Sequence, residues 1–383
     1  MDIDYEPQLK NDEWLKQYDI IHYHRNLGPF EEMESLNDRL KSLGIVSIMD
    51  LDDHWSPGAH HPAYLLIKNN KLDIKIENNL KLAQNVTTTT PIFAKEISKY
   101  NNNVFVLPNA INPTEQQFTP NPEPSEKLRI GWLGGSSHLK DLEILKGLTN
   151  KLKGDGLLDK VQFVLCGFDL RGQHTDIDQV TGEQKVRAIK PMESVWYLYE
   201  KIFTDDYRIV SPEYKKFLLK FVQEEYPDVK NEPYRRVWTK HISSYASNYN
   251  LFDISLAPLS EHNFNRVKSQ LKVIEAGFHK KVIIAQNFGP YQIDVKNAIQ
   301  YGGGFDETAN GILIDTAKNH KDWYEAIKKL IKNPSMIPVL QENLNKTIKD
   351  TYSIDVVTES RKNLYLSLLE NNKKLIPMEY EKN

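Results

Sequence analysis

The chain has a single cysteine, Cys166, set inside the apolar run Val161–Phe168. One thiol cannot build a disulfide framework, and with no Cys/His cluster around it a structural zinc site is not expected. Cys166 reads as a small core residue rather than a nucleophile. A charge excess of either sign is also missing, since 49 Lys and Arg stand against 52 Asp and Glu, a formal net charge of −3. That balance supplies no global field to draw the protein to nucleic acid or anionic lipid. No apolar stretch approaches the ~18 uninterrupted residues of a membrane span. The opening Met1-Asp2-Ile3-Asp4-Tyr5-Glu6 is acidic and polar, with no signal-peptide core. The expected location is cytoplasmic. Beyond a two-domain echo there is no internal repeat and no low-complexity tract.

What is present is the composition of a soluble globular protein, 40% hydrophobic and 26% charged, in 383 residues that suit two domains. Short runs rich in Val, Ile and Phe alternate with helical patterns. Asp19–Arg25, Ile45–Asp50, Val86–Thr90 and Val104–Leu107 read as strands of a first half, with helices at Glu31–Leu43 and Pro91–Tyr100. Leu128–Leu133, Val161–Cys166, Phe252–Ala257, Lys281–Ala285 and Gly311–Ile314 repeat the theme, with helices at His138–Lys153, Lys268–His279, Lys321–Lys332 and Asp355–Glu370. Strand–helix alternation twice over predicts an α/β fold of two Rossmann-like, doubly wound parallel sheets, each covered by helices. The predicted organisation is a domain over 1–112, an extended proline-bearing linker over 113–127, a second domain over 128–350 and a C-terminal helix and tail over 351–383. An aromatic-rich, mostly helical insertion occupies about 169–235, carrying Trp196, Tyr197, Tyr199, Phe203, Tyr207, Tyr214, Phe217, Phe221 and Tyr226. Those aromatics read as the insertion's own small core rather than as a sugar platform.

Three motifs of the second half carry chemistry. In Ile130-Gly131-Trp132-Leu133-Gly134-Gly135-Ser136-Ser137-His138-Leu139-Lys140-Asp141 a strand runs through a Gly/Ser turn into a helix. The turn lets backbone approach an anion, and Ser136 and Ser137 cap the helix or bind phosphate. It is neither Gly-x-Gly-x-x-Gly nor a P-loop, so an ordinary capped turn fits it as well. In Asn263–Gly277 a helix beginning near Lys268 would put Lys268, Lys272 and Glu275 on one face. Two lysines one turn from a carboxylate suit a nucleoside diphosphate, phosphate on the lysines and ribose on the glutamate; a solvated, salt-bridged helix has the same pattern. The third motif, Lys281–Tyr291, is a buried strand ending in the turn Asn287-Phe288-Gly289, a second place where a helix start would face an anion.

In order and spacing these motifs resemble the C-terminal domain of GT-B-fold glycosyltransferases, above all the retaining family-four group (glycosyl transferases group 1). Glu275-Ala276-Gly277 followed by Val282-Ile283 resembles that group's Glu-Ala and Val-Ile pairing. Val106-Leu107-Pro108-Asn109-Ala110-Ile111 resembles the Pro-Asn turn closing the N-terminal domain, and Arg361–Leu369 the helix that crosses back to it. The resemblance covers roughly Asp19 to Leu369 without the insertion. It implies a nucleoside-diphosphate sugar as donor substrate and no cofactor. Glu275 would bind the donor ribose, Lys268, Lys272 and Gly134, Gly135, Ser136 and Ser137 the diphosphate, and Asn287 and Gly289 would lie near the donor sugar. Lys140 matches the lysine of the domain's first helix only loosely. Two departures stand out. The first glutamate of the family's Glu-x7-Glu falls at Val267, and the N-terminal domain lacks the family's opening glycine-rich loop.

The first half has its own signal in Asp50-Leu51-Asp52-Asp53-His54-Trp55, just past a strand end, where open α/β sheets place ligands. Asp-x-Asp invites comparison with metal-dependent GT-A enzymes. A GT-B enzyme instead holds donor phosphates with lysines, so no metal is expected. Asp50, Asp52, Asp53 and His54, with His24 on the neighbouring strand, form the expected acceptor-side cluster facing the cleft, positioned to orient or deprotonate an acceptor hydroxyl. A capped loop of solvated acids is the bland reading of the same residues. The functional reading is a metal-independent, retaining glycosyltransferase of surface glycan or polysaccharide assembly, acting on a glycan or lipid-linked acceptor, with Lys268, Lys272, Asp53 and His54 as catalytic residues. Near-neutral charge disfavours its rival as a phage-type enzyme acting on modified nucleic-acid bases. The same motifs would also suit a GT-B sugar-nucleotide epimerase or a non-catalytic sugar- or nucleotide-binding partner of another transferase.

Overall fold

The structure is a computed structural model and describes residues 6–59, 61–169, 173–177, 184–190, 193–204, 234–299, 304–316 and 318–375. The chain forms two compact units. Unit 1 comprises Met1–Ala110, His262–Gln270 and Thr351–Asn383, and unit 2 comprises Ile111–Glu261 and Leu271–Asp350.

Unit 1 is built on four parallel strands, β1 (Ile20–His24), β2 (Val46–Leu51), β3 (Asn85–Thr88) and β4 (Val104–Val106), in the order β1-β2-β3-β4. Helices on the faces bury both sides of the central strands, which is why Val46, Ile48, Met49 and Leu51 run with almost no polar alternation. Met33, Leu80, Phe93 and Ile97 close the core from the helices Met33–Ser42, Leu72–Leu82 and Pro91–Ile97. Thr90 caps the last of these, its hydroxyl accepting from Phe93 N at 3.1 Å, with Pro91 in the first turn. The long helix Ile354–Leu375 returns to this unit, packing Leu368 on Val46 and Ile48.

The main sheet of unit 2 contains β5 (Leu128–Leu133), β6 (Val161–Phe168), β9 (Tyr234–Trp238), β10 (Ile254–Ala257), β11 (Val282–Gln286) and β12 (Ile312–Ile314). These six strands are parallel and lie in the order β12-β11-β10-β5-β6-β9. Between β6 and β9 in the chain, β7 (Gln173–Ile177) and β8 (Gln184–Ala188) form a separate antiparallel hairpin. Gly131 in β5 is required by packing, since a Cβ there would lie 2.1 Å from the Phe252 ring.

Several expectations are corrected. Residues 113–127 are not a free extended linker: Gln116–Phe118 is a 3₁₀ turn whose Gln117 and Phe118 are buried. Phe118 packs on the His279 ring, and His279 Nε2 lies 2.8 Å from Gln117 O, so this polar stretch is pinned onto unit 2 at its one apolar side chain other than proline. The insertion is not mostly helical in its described part. Its residue 234 begins β9, an edge strand masked in the sequence by Arg235 and Arg236, which are buried and paired with Glu123 and Glu200. Trp196, Tyr199 and Phe203 join the main core of unit 2 rather than a core of their own. Tyr207, Tyr214, Phe217, Phe221 and Tyr226 lie outside the described residues.

The helix expected over His138–Lys153 is broken into Leu139–Leu142, a 3₁₀ turn Glu143–Leu145 and Leu148–Gly154. Gly147 makes the break, at φ +96° with His320 packed where a Cβ would stand. The helix expected from Lys268 begins at Leu271. Val267 is drawn instead into the core of unit 1, which leaves 267–270 outside any helix.

Candidate functional site

In unit 2 the candidate side chains around Lys272 lie at the carboxyl end of β5, the end at which parallel sheets place ligands. β5 ends at Leu133 and the chain turns through Gly134, Gly135, Ser136 and Ser137, the last three exposed. Gly134 has no space for a side chain: a Cβ would come 2.5 Å from the Trp132 ring and 3.1 Å from Lys272 Nζ. Lys272, in the first turn of Leu271–Phe278, holds its ammonium 5.1 Å from the centre of the Trp132 ring and donates to Leu133 O. A residue 139 positions away in sequence is thus brought to the glycine turn.

The other expected donor residues fare differently. Ser136 and Ser137 do not cap the following helix: His138 occupies the cap position without a side-chain cap bond. Lys140 is exposed and paired with Glu143 at 2.9 Å, an i,i+3 partner on its own stretch of chain. Glu275 is 4% exposed, and its carboxylate accepts from the Tyr245 hydroxyl and, at 2.9 Å, from the Tyr249 hydroxyl. Burial pushes its pKa up, against the pull of the two phenols and Lys272. In place of an open ribose ligand, the structure presents a carboxylate filled by two phenols, with the half-buried Tyr245 before it. Asn287 bonds across the ends of β11 and β12, its N–H to Ile314 O at 2.8 Å and its Nδ2 to Asp315 Oδ1 at 2.6 Å. Gly289, at φ +59°, opens a four-residue 3₁₀ turn, too short for the anion-facing helix start expected there.

Sequence reasoning passed over two residues of the first motif. His138 Nδ1 lies 2.8 Å from Asp141 Oδ2, and Asp141 Oδ1 accepts from Ser260 N at 2.8 Å and Ser260 Oγ at 2.6 Å. Burial raises the Asp141 pKa, but His138 and Ser260 outweigh it and hold the group at about 2. A His and an Asp three apart, directly after a glycine turn, were the available signal.

Lys268 belongs to unit 1 and does not share a face with Lys272 and Glu275. Its Nζ lies 5.0 Å from the centre of the Phe264 ring, against which His61 also packs at 5.2 Å. Its charge, with those of Arg25 and His61, opposes the burial and the neighbouring Asp52 that raise the pKa of Asp53. Burial and the same Lys268 lower the pKa of His61. At the ends of β1 and β2, His24 faces Asp50 in register, and its Nε2 lies 3.0 Å from Asp52 Oδ1, with Arg25 3.6 Å from the same oxygen. Asp50 accepts from Thr87 Oγ1 at 2.6 Å; burial raises its pKa, but His22 and Thr87 leave it below the ordinary value. His54 stacks on Trp55 at 4.3 Å and accepts from Ser56 N, and burial lowers its pKa. Its ring therefore belongs as much to the core as to the acidic loop. Among the described residues no group of three His, Cys, Asp or Glu side chains is arranged to hold a metal ion, and no helix is long and apolar enough to cross a membrane.

No protein-family model matches the sequence, and no curated protein sequence matches it. Solved structures do. Sucrose-phosphate synthase from Thermosynechococcus elongatus superposes with a TM-score of 0.57 at 13% identity, over 96% of this chain and 81% of that one. Anabaena HepE, in complex with UDP and glucose, gives 0.57 at 13%, over 94% and 82%. A glycosyltransferase from Rickettsia africae gives 0.55 at 14%, over 97% and 84%. At these identities the likeness is one of fold. The two α/β units, each built on a parallel sheet, have the GT-B fold of these glycosyltransferases.

Proposed function

We propose that the chain is a glycosyltransferase that moves a sugar from a uridine-diphosphate sugar to an acceptor hydroxyl, with retention of anomeric configuration, in the assembly of a surface glycan or polysaccharide. The observation that carries this reading is Lys272 held against the glycine turn at the end of β5 by Trp132 and the Leu133 carbonyl. A fixed cation beside a glycine turn suits a diphosphate leaving group. The uridine preference draws on the fold neighbour HepE, solved in complex with UDP-glucose.

Unit 2 takes the donor. The bond from the anomeric carbon to the β-phosphate oxygen breaks, the acceptor oxygen bonds to the same face, and the acceptor proton passes to the departing phosphate. Lys272 and the backbone of Gly134–Ser137 neutralise the charge that builds there, and Asn287 and Gly289 border the donor sugar. Glu275 reaches the ribose through Tyr245. Unit 1 supplies the acceptor side: Asp53, its charge balanced by Lys268 and Arg25, orients the acceptor hydroxyl, with His24, Asp50, Asp52 and His54 around it. Fixed cations do this work without a metal.

The test is a melting-point screen of UDP, UDP-glucose, UDP-galactose and UDP-N-acetylglucosamine, followed by a donor-turnover assay. Binding to the native state raises the melting point. A rise with UDP and release of UDP from one of the sugars are expected. Absence of any rise overturns the donor assignment, and saturable binding without turnover, under all acceptors tried, makes the chain a binding module.

A further inference from the structure

Two stretches of unit 2, residues 116–122 and 242–252, hold no charged side chain, although 26% of the chain is charged. Amides and hydroxyls take the place of the missing charges. The fold brings the two stretches together and fastens them. Asn250 Oδ1 accepts from Asn121 N at 2.8 Å across 129 positions of sequence, and Asn250 O accepts from Glu123 N at 3.0 Å. Gln117, only 8% exposed, accepts from Ala246 N at 3.4 Å and donates through Nε2 to Glu115 at 2.8 Å. Its carbonyl lies 2.8 Å from His279 Nε2, and Phe118 packs on the same imidazole. These bonds set the spacing of the two stretches before any ligand arrives, which removes an ordering cost from binding.

A cavity of about 520 Å³ lies between them, a size that suits a small-molecule site. Among the described residues that line it, none is ionisable and none is aromatic. The bonds that build its walls leave a particular set of groups over. The side-chain amides of Gln116 and Asn121, the Nδ2 of Asn250 and the Thr119 hydroxyl make no hydrogen bond within the protein. Two charges adjoin the walls and are of opposite sign: Lys240 donates to Ser247 Oγ at 2.8 Å, and Glu115 accepts from Gln117. We infer that this cavity is a subsite for a neutral glycan, sharing no residue with the glycine turn or with the acidic loop of unit 1. Each sugar hydroxyl donates and accepts, and the free amides and the threonine hydroxyl have that same double capacity. A phosphate or carboxylate calls for a fixed cation, which no described lining side chain supplies. A nucleobase calls for a flat ring to stack on, and a peptide strand for an open sheet edge. These walls offer neither, being built on the 3₁₀ turns Gln116–Phe118 and Tyr245–Leu251. Pro120 gives the C–H face of a sugar ring one rigid apolar surface. In a transferase, such a subsite grips a long acceptor or product by sugars other than the reacting one.

The subsite does not require unit 2 to bind a sugar nucleotide, so the two readings fail separately. The full chain is titrated with maltotetraose, cellotetraose and N-acetylchitotetraose, and with tetragalacturonate as the charged control, by saturation-transfer NMR and calorimetry. Expected is saturable binding of at least one neutral tetrasaccharide and none of the charged one. Gln116→Ala combined with Asn121→Ala removes two exposed amides that bond nothing in the protein. It should weaken binding by about tenfold at an unchanged melting point. Thr119→Trp fills the cavity from an exposed position and should abolish binding, again without a change in melting point. Failure of all three neutral sugars to bind would overturn the subsite, as would a preference for tetragalacturonate. Wild-type affinity in either variant would overturn it too, because the sugar would then be bound elsewhere. A melting-point rise with UDP on the same samples tests the donor reading alone; its absence would sink that reading and leave the subsite standing.

Discussion

The Lys272 ammonium lies 5.1 Å from the centre of the Trp132 ring and 3.1 Å from the point a Cβ on Gly134 would occupy. Glycine, indole and lysine therefore specify one another. An alanine at 134 would also meet the ring at 2.5 Å, so neither neighbour could stay in place. If Lys272 carries charge stabilisation for a departing diphosphate, Lys272→Ala should lower kcat/KM by about 2–4 kcal/mol in transition-state terms. Gly134→Ala should lower it too, by displacing the ammonium. Initial rates across donor concentrations check both, and wild-type turnover in Lys272→Ala would remove the lysine from the mechanism.

Glu275 makes a prediction about stability and pH. Burial raises its pKa, and the hydroxyls of Tyr245 and Tyr249 work against that rise. A carboxyl whose folded pKa exceeds its unfolded value favours folding most when protonated, and this advantage is lost as pH rises through the folded pKa. Tyr245→Phe removes one bond to the charged form and raises the folded pKa further. The variant should be destabilised little below about pH 4.5, where the group is protonated in both states, and by about 1–3 kcal/mol at neutral pH. Denaturant titrations of both proteins across about pH 4 to 8 test this. A pH-independent difference would mean that Glu275 does not feel the lost hydroxyl.

Much of this architecture was legible in the sequence, for identifiable reasons. The strands of the two main sheets other than β9 announced themselves as short apolar runs, because parallel strands covered on both faces have no polar alternation to blur them. β9 did not, since Arg235 and Arg236 are buried only by virtue of Glu123 and Glu200, partners that no local window contains. The convergence of Lys272 on the Gly134 turn was implied by the resemblance to GT-B enzymes, not by any local pattern. Lys268 was misplaced because the helix was started at Lys268 rather than at Leu271, the preceding Val267 being held by the core of unit 1. Periodicity reports a helix face only while the helix lasts. The phenols that occupy Glu275 come from the turn Tyr245–Leu251, and Ser260, which fixes Asp141, lies 119 residues from it. Such long-range partners decide whether a carboxylate is a ligand or a buried brace.

Transfer should persist in excess chelator. The cation proposed for the diphosphate is an ammonium fixed by Trp132 and Leu133 O, and two acids of the same motifs, Asp141 and Glu275, already accept from Ser260, His138 and the two tyrosines. Turnover measured with and without chelator, then with added magnesium or manganese, is the check. Complete loss that either metal restores would overturn the proposal and turn attention to Asp50, Asp52 and Asp53 as metal ligands.

Asp53 should matter to transfer and not to donor binding. Burial and Asp52 raise its pKa, while Lys268, Arg25 and His61 hold it down, an arrangement suited to a carboxylate that must be ionised to accept a proton or orient a hydroxyl. Because its pKa is raised, the active, ionised form is gained as pH rises, and the acid limb of the kcat/KM profile should lie above the ordinary 3.8. Asp53→Asn should cut kcat by about 10²–10⁴ and flatten that limb, while the affinity for UDP stays at the wild-type value. His54→Ala should also impair transfer more than binding. It should lose stability as well, since its ring stacks on Trp55 at 4.3 Å within reach of Phe93. Nucleotide titrations and initial rates on the same two variants separate the cases. Equal losses of binding and rate would mean that the loop only holds the fold, and no loss in either would leave Asp50–Asp53 as a solvated cap at the end of β2.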